Sequence, residues 1–593
     1  MSKIHDGLPA SPGIVIGPAR VLRWDLPAVP HGAIAPDQVE AEVQRFLDAC
    51  DAVKQHIRSV QQRAHERMGA VEAQIFEPQL LMLEDDELIG GTISYVRENL
   101  LTAERAFEWR VLEWEAQWSH TAHPMVLDKL NDLADVQARV LRRLLQIPEP
   151  DPAAITGAER VVLVARDLIP SLVVQLDASC ILGIALDGGT RNSHSAILAR
   201  SLGIPCVVSL GTLSDEVAEG EELILDGRSG RIVRQPSEEE RHAYRERDFQ
   251  IREWEQELLL LAHLDAVTRD GAHVALRANL DLPTEAASAR AHGAEGIGLF
   301  RTEFLVVGRS VVPGEAEQYQ AYRQVVEAFP GHPVIIRTYD LGGDKFPTFL
   351  HLAPEENPFL GWRAIRLCLD ELGLFRAQLR ALLRAGAHGD VRIMLPMINE
   401  IAEVEATRAL LDEAAADLRA AGETLPPRYS LGVMVETPAA ALSVPELATH
   451  VDFFSIGTND LVQYTLAVDR GSPRVARLYK PFHPGVVRLM HGTVEAARAA
   501  GREISVCGEL AAHPLGAFMM IGMGVDALSV SPSSMAEVKK LVRSVSRQDA
   551  RAAVHDALAA RTADEVVDAL RARLPDQLDL SLFAGSWSLS KSS

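Results

Sequence analysis

The sequence predicts a multidomain α/β protein with a C-terminal TIM-type (β/α)8 barrel and an N-terminal α/β domain carrying an inserted α-helical bundle. Three observations lead there. Eight short apolar runs alternate with helical segments over about 260 residues beyond position 270. Residues 37–146 carry a long apolar seam at alternating steps of four and three. On either side of that seam, apolar runs bounded by Gly and Pro read as strands. At 593 residues the chain is long enough for several domains and more than one core.

In chain order, residues 8–23 read as short strands broken by Gly and Pro, too few to fold alone. After Pro36 and Asp37 the seam Val39, Val43, Phe46, Cys50, Val53, Ile57 and Val60 marks a long helix packed on another, and helical texture continues to about Gln146. This stretch has 20 acidic and 12 basic residues, which suits a solvated acidic exterior or a docking surface for a basic partner. Pro148, Pro150 and Pro152 end the bundle. The runs 161–165 and 181–185 then read as buried strands of a mixed module ending near Val233, whose sheet is expected to include the N-terminal strands. Residues 237–262 form a charged helix with an apolar end, suited to linking two bodies that move. The eight barrel runs are 274–278, 296–300, 334–336, 391–395, 431–435, 453–456, 504–506 and 527–530, with a doubly wound sheet as the lesser alternative. The expected boundaries are 1–35 with 147–233 for the α/β domain, 36–146 for the bundle, 234–265 for the linker, 266–575 for the barrel, and 576–593 for a mobile tail.

Composition removes several classes. With 59 Lys and Arg against 82 Asp and Glu, the net charge of −23 opposes unspecific attraction to nucleic acid or anionic lipid, so an anionic ligand must meet a local cluster of arginines. No run is apolar and long enough to span a bilayer, and the first residues lack the apolar core of a signal peptide, which leaves a cytoplasmic location as the expectation. Five widely spaced cysteines with no CxxC pair argue against zinc or a disulfide frame.

A TIM barrel builds its active site at the carboxyl ends of its strands. There the sequence is consistently polar: Arg301 follows the second run, Arg337 the third, Glu436 the fifth, Asn459 and Asp460 the sixth, and Cys507 the seventh. Any one of these taken alone fits a strand-end ion pair or a helix cap; their convergence on one face does not. Planar arginine forks hold carboxylate and phosphate together, and Glu436 and Asp460 offer hard oxygen ligands to Mg²⁺. A small phosphorylated acid fits this set, because phosphoryl transfer needs chiefly positioning and charge neutralisation. Cys507 is then available to handle a proton.

A second constellation is Gly188-Gly-Thr-Arg-Asn-Ser-His194, a Gly-rich turn leading into a short helix. It sets His194 near a helix N-terminus that favours phosphate. A nucleophilic imidazole and a structural histidine both fit; with 19 histidines in the chain, spacing does not decide between them.

From residue 11 to about 545 the sequence resembles enzyme I of the bacterial phosphoenolpyruvate-dependent phosphotransferase system. The resemblance is carried by Gly298-Leu-Phe-Arg-Thr-Glu-Phe304, Arg337-Thr-Tyr-Asp-Leu-Gly-Gly-Asp-Lys345, Glu356-Asn-Pro-Phe-Leu-Gly-Trp-Arg363, Gly432-Val-Met-Val-Glu-Thr-Pro438, Asp452-Phe-Phe-Ser-Ile-Gly-Thr-Asn-Asp460 and Cys507-Gly-Glu-Leu510. It implies that the α/β domain is a swivelling phosphohistidine domain in which His194 is phosphorylated. It further implies that Arg301, Arg337 and Arg470 bind phosphoenolpyruvate with help from Asn459, Lys345 and Arg363, that Glu436 and Asp460 hold Mg²⁺, and that Cys507 protonates enolpyruvate. The bundle would dock HPr, the small histidine phosphocarrier protein, and the barrel would form a homodimer. Two departures from the family pattern imply an altered rate: an extra residue with Asn192 in the 188–194 loop, and Ile169 where a threonine is common.

The expected function is therefore phosphoryl transfer from phosphoenolpyruvate to His194 and on to HPr, releasing pyruvate, as the first step of sugar uptake. The alternatives are a nitrogen-branch paralogue, or a catalytically weak sensor of phosphoenolpyruvate. A pyruvate phosphate dikinase or phosphoenolpyruvate synthase would need an ATP-binding domain for which the chain has no room.

Overall fold

The computed structural model describes residues 2–22, 27–30, 32–68, 76–119, 124–147, 160–168, 180–189, 196, 199–200, 202–306, 312–342, 355, 357–472, 474–575 and 578–583. The chain divides into two compact units, 1–251 and 252–593. His194, Lys345, Asn192, Ile169 and the last ten residues lie outside the described residues.

The first unit holds an eight-stranded mixed sheet in the order β1-β8-β7-β3-β4-β5-β6-β2. Its strands are β1 (Lys3–Asp6), β2 (Leu8–Ser11), β3 (Ile14–Leu22), β4 (Val161–Ala165), β5 (Ile181–Leu186), β6 (Cys206–Val208), β7 (Glu222–Asp226) and β8 (Arg231–Arg234). The run β3-β4-β5-β6 is parallel and the other neighbours pair antiparallel. Strand β4 is buried along its whole length, which accounts for its unbroken apolar sequence.

Between β3 and β4 the chain makes the helices Val39–Met68, Glu77–Met82, Asp86–Asn99, Ala103–Ser119 and Pro124–Leu144. The seam read from the sequence is the buried stripe of the first helix: Val43, Phe46, Cys50, Val53, Ile57 and Val60 are all buried. One apolar cluster runs from Phe46 and Phe107 of the helices to Leu163, Ile184 and Cys206 of the sheet, so bundle and sheet share a core.

The second unit is a closed parallel barrel of eight strands: β9 (Ala275–Leu280), β10 (Ile297–Phe300), β11 (Val334–Arg337), β12 (Val391–Leu395), β13 (Ser430–Val435), β14 (Phe453–Ile456), β15 (Glu503–Val506) and β16 (Ala527–Val530). Leu299, Ile335, Met394, Met434, Phe453 and Cys507 form a separate buried cluster, while strand neighbours such as Phe300, Ile336 and Phe454 join the larger core with the helices, as alternation in a barrel strand requires. Gly432 makes room for Phe453, since a Cβ there would lie 2.4 Å from its ring. Glu503, at the start of β15, pairs with Arg277 and Arg392, both at 2.7 Å.

The helix Glu238–Leu261 carries Trp254 and Leu258 into the barrel core. Of the expected tail, only residues 578–583 are described: there Leu578 and Phe583 are buried in the same core, and the Phe583 ring meets Trp254 at 5.0 Å. For these two side chains, burial against the linker helix outweighs the freedom of a chain end. Among the described residues, no helix is long and apolar enough to cross a membrane.

Candidate functional site

The strand tips of the barrel converge on one pocket. Arg301, Arg337, Arg363, Glu436, Asn459, Asp460, Arg470 and Cys507, which are all the predicted site residues that the barrel describes, line it together. Their placement follows from the strand ends: Arg337 closes β11, Arg301, Glu436 and Cys507 each follow the last residue of a strand, and Asp460 sits in the first turn of the helix Thr458–Leu466.

Sequence reasoning missed the acidic frame around the arginines. Asp340 is 2% exposed and accepts from both Arg363 Nε (2.8 Å) and Arg363 Nη2 (3.0 Å), while also meeting Arg337 Nη1 at 3.0 Å. Glu303 accepts from Arg337 Nη2 (2.9 Å) and from the Asp340 N–H (3.2 Å). Burial works against the charge on Arg337, but Glu303, Asp340 and Glu436 outweigh it and the pKa is raised. The same holds for Arg363, where Asp340, Asp460 and Glu436 prevail over burial. Both forks are therefore charged and fixed before any anion arrives, which is preorganised electrostatics. The one signal in the sequence was the spacing of Asp340 three residues after Arg337.

Arg363 is the most fully engaged of the predicted ligand-binding residues. Besides Asp340 it donates to Asp460 Oδ2 (2.9 Å) and to the Tyr464 hydroxyl (3.0 Å), which in turn donates to the Phe359 carbonyl (2.6 Å). Its backbone approaches Gly342, where a Cβ would lie 2.8 Å from Arg363 Cα and φ is +125°. Glycine is required there on both counts. Arg301 and Arg470 are different. Arg301 Nη1 pairs with the exposed Asp281 at 2.7 Å, and Arg470 is exposed at the rim, so both remain able to reorient.

The acids Glu436 and Asp460 stand among these arginines, Asp460 in direct contact with Arg363. Glu436 is 2% exposed and accepts from the Met397 N–H at 2.7 Å, a bond aimed by Met397 in a left-handed conformation (φ 56°). Burial, then the negative Asp460 and Asp340, push its carboxyl up to about 8. That crowding of hard oxygen donors suits a divalent cation. Among the described residues there is no cluster of three or more metal-binding side chains. A pair of carboxylates nevertheless fits an ion that completes its shell with water and substrate oxygens, as Mg²⁺ does. Asn459 exchanges two hydrogen bonds with Glu509: its Nδ2 donates to Oε1 at 3.2 Å, and the Glu509 N–H donates to its Oδ1 at 3.1 Å.

Cys507 is 3% exposed in the pocket wall, and its Sγ donates to the Ile456 carbonyl at 3.6 Å. Burial pushes the thiol up to about 11, so at neutral pH it is an acid holding its proton. The described flanks of His194 are β5, Gly188, Gly189 and the buried Ala196 and Ala199, with Arg200 donating to the Ala10 carbonyl at 3.1 and 2.8 Å.

The chain also matches known proteins along most of its length. Residues 255–547 match the PEP-binding domain of PEP-utilising enzymes, 6–125 their N-terminal domain and 157–230 their mobile domain. The phosphoenolpyruvate-protein phosphotransferase of Bacillus sp. (strain S) is 40% identical over 564 residues, covering 95% of this chain and 97% of the relative. The protein of the same name from Haemophilus influenzae is 40% identical over 560 residues, covering 94% and 97%. That of Staphylococcus carnosus is 39% identical over 568 residues, covering 96% and 98%.

Proposed function

The chain belongs to the phosphoenolpyruvate-protein phosphotransferase family, and we propose that it moves the phosphoryl group of phosphoenolpyruvate to His194 and from there to a histidine of HPr, as the first step of sugar phosphotransfer. The observation that carries this reading is the convergence of Arg301, Arg337, Arg363, Glu436, Asn459, Asp460, Arg470 and Cys507 on one pocket.

Arg337, framed by Asp340 and Glu303, offers a fixed fork to the substrate's anionic groups, and Arg301 and Arg470 close on it from the rim. Lys345 joins them in the family's pattern. Glu436 and Asp460 would hold the divalent cation, Mg²⁺ by their donor type, and the ion would supply charge neutralisation to the phosphoryl group. Arg363 ties Asp460 to Asp340 and keeps that carboxylate in place.

An imidazole nitrogen of His194 attacks phosphorus. The P–N bond forms as the bond to the enol oxygen breaks, leaving the enolate of pyruvate. The double-bond electrons of the enolate then take the Cys507 proton at C3, the oxyanion becomes the keto oxygen, and the thiolate left behind regains a proton from solvent. Formation of the ketone is what makes the donor strong, and a buried neutral thiol is suited to complete it.

HPr is the proposed acceptor and the bundle its docking surface. Leu81, Trp109 and Leu112 support this, being large apolar side chains left 64%, 45% and 53% exposed on a strongly acidic body. Since one imidazole serves both the barrel and HPr, the phosphohistidine domain swings between two poses. A cytoplasmic homodimer joined through the barrel belongs to the same reading and rests on the family resemblance.

The test is pyruvate formation from phosphoenolpyruvate with a divalent cation, with and without HPr. Turnover that needs both supports the reading, and HPr-independent or metal-independent turnover contradicts it.

A further inference from the structure

We infer that Asn279 is a positioning residue for the proton-transfer step, clamping the main chain of Cys507 from two strands away. The inference rests on the reading of Cys507 as the proton donor. The β15–β16 ladder ends at Val506 opposite Leu528, so the Cys507 carbonyl lies past its last rung, as does that of Ser529 on the neighbouring strand. A buried carbonyl needs a donor. Asn279, on β9, supplies it to both: its Nδ2 donates to the Cys507 carbonyl at 3.0 Å and to the Ser529 carbonyl at 3.1 Å.

The amide is itself held. The Ser529 hydroxyl, on a fully buried side chain, donates to Asn279 Oδ1 at 2.6 Å, which fixes which end of the amide faces Cys507. Ser529 has room because residue 298 is glycine: a Cβ there would stand 2.2 Å from the Ser529 hydroxyl oxygen. On its other side Cys507 is tied to β14, its N–H donating to the Ile456 carbonyl at 3.0 Å and its Sγ to the same atom at 3.6 Å. The residue is thus gripped between Ile456 and Asn279. No other side-chain type supplies both donors and the acceptor at this length: aspartate only accepts, leucine does neither, and glutamine is one methylene too long.

The clamp matters because a proton reaches C3 of enolpyruvate from one face, and only if the sulfur is correctly placed. With the clamp lost, phosphorus still reaches His194, but the unprotonated enolate either takes it back, which lowers net turnover, or leaves and becomes a ketone in solution, where both faces react.

The test uses the full chain with HPr, a divalent cation and phosphoenolpyruvate stereospecifically tritiated at C3, in deuterated water. The wild type should make pyruvate with a chiral methyl group. Asn279→Leu should lower turnover about ten-fold with KM little changed, and should lose methyl chirality. A merely structural role would not scramble the methyl group. Ser529→Ala, which removes only the hydroxyl that holds the amide, should move both readouts the same way by less, and carries the test should the leucine variant not fold. Wild-type turnover and chirality in either folded variant overturn the inference. Cys507→Ala is the reference: if it keeps chirality, the reading of Cys507 fails, whereas chirality lost there and kept in both clamp variants defeats the clamp alone.

Discussion

Cys507 should behave as an acid, and the structure says how strongly. Burial pushes the thiol up to about 11, with Ser455 opposing and Glu436 adding to the rise. At pH 8 a thiol near the ordinary 8.5 is about one quarter thiolate, while one at about 11 is about one thousandth, so roughly 200-fold less of the nucleophilic form is present. Alkylation of Cys507 by iodoacetamide, followed by peptide mass spectrometry, should therefore be slow at pH 8 and should rise about ten-fold per pH unit to at least pH 9.5 without levelling. The sign for activity is fixed by the same fact: the acid must be protonated, so an alkaline loss of turnover due to this group appears only as pH approaches 11. Cys507→Ala should cut pyruvate formation about 10²- to 10⁴-fold. The fold should survive, since alanine replaces a small residue packed among Leu299, Met434 and Phe453. Alkylation that levels off near pH 8.5, or full turnover in the alanine variant, would show that Cys507 is not the buried acid of this site.

Other expectations follow from the same geometry. Glu436→Gln should weaken divalent-cation binding about 100-fold by calorimetry, yet raise the melting temperature of the metal-free protein. A carboxyl raised to about 8 on folding contributes stability only while protonated, and loses it as pH climbs from its unfolded value through 8. A variant that binds the cation normally contradicts the assignment. Gly508→Ala would put a Cβ 1.8 Å from the Thr458 hydroxyl oxygen, between Cys507 and the helix bearing Asn459 and Asp460. Turnover should fall at least ten-fold, and the melting temperature should drop by several degrees; an unchanged variant would show that the two strand tips are not held together. Glu503→Gln should cost about 2–3 kcal/mol in urea unfolding, because Arg277 and Arg392 lose their shared partner. Burial opposes the Glu503 carboxylate, but the two arginines lower its pKa, so its contribution is present above the usual carboxylate range and is lost as pH falls through the lowered value. Equal urea midpoints for variant and wild type at pH 7 and pH 4 would show that the ion triplet does not stabilise the barrel.

What the sequence disclosed and what it withheld divide along physical lines. All eight barrel strands were visible as apolar runs because a strand covered on both sides has no polar face, and the site followed because a barrel puts the residue after each run at its mouth. The seam of the helix Val39–Met68 showed that a face was buried. It did not show that Phe46 would share a core with Leu163 of the sheet, since periodicity names a face and never its partner. The supporting residues were hidden for a similar reason. Asp340, Glu303, Asn279 and Ser529 lie beside other residues of their strands and loops, and become distinctive only when the closed barrel brings Asp340 against Arg363 and Asn279 against Cys507. The packing of Leu578 and Phe583 was not legible, because two apolar residues make no pattern and the Phe583 partner Trp254 lies more than three hundred residues earlier.

In this mechanism the barrel pocket delivers phosphorus from phosphoenolpyruvate to one histidine, His194. Incubating the full chain with ³²P-labelled phosphoenolpyruvate and Mg²⁺ tests it directly. One acid-labile, base-stable label per chain is expected, absent from His194→Ala and passing to added HPr. A wild-type protein that takes up no label, or a His194→Ala variant that takes up as much, would contradict it.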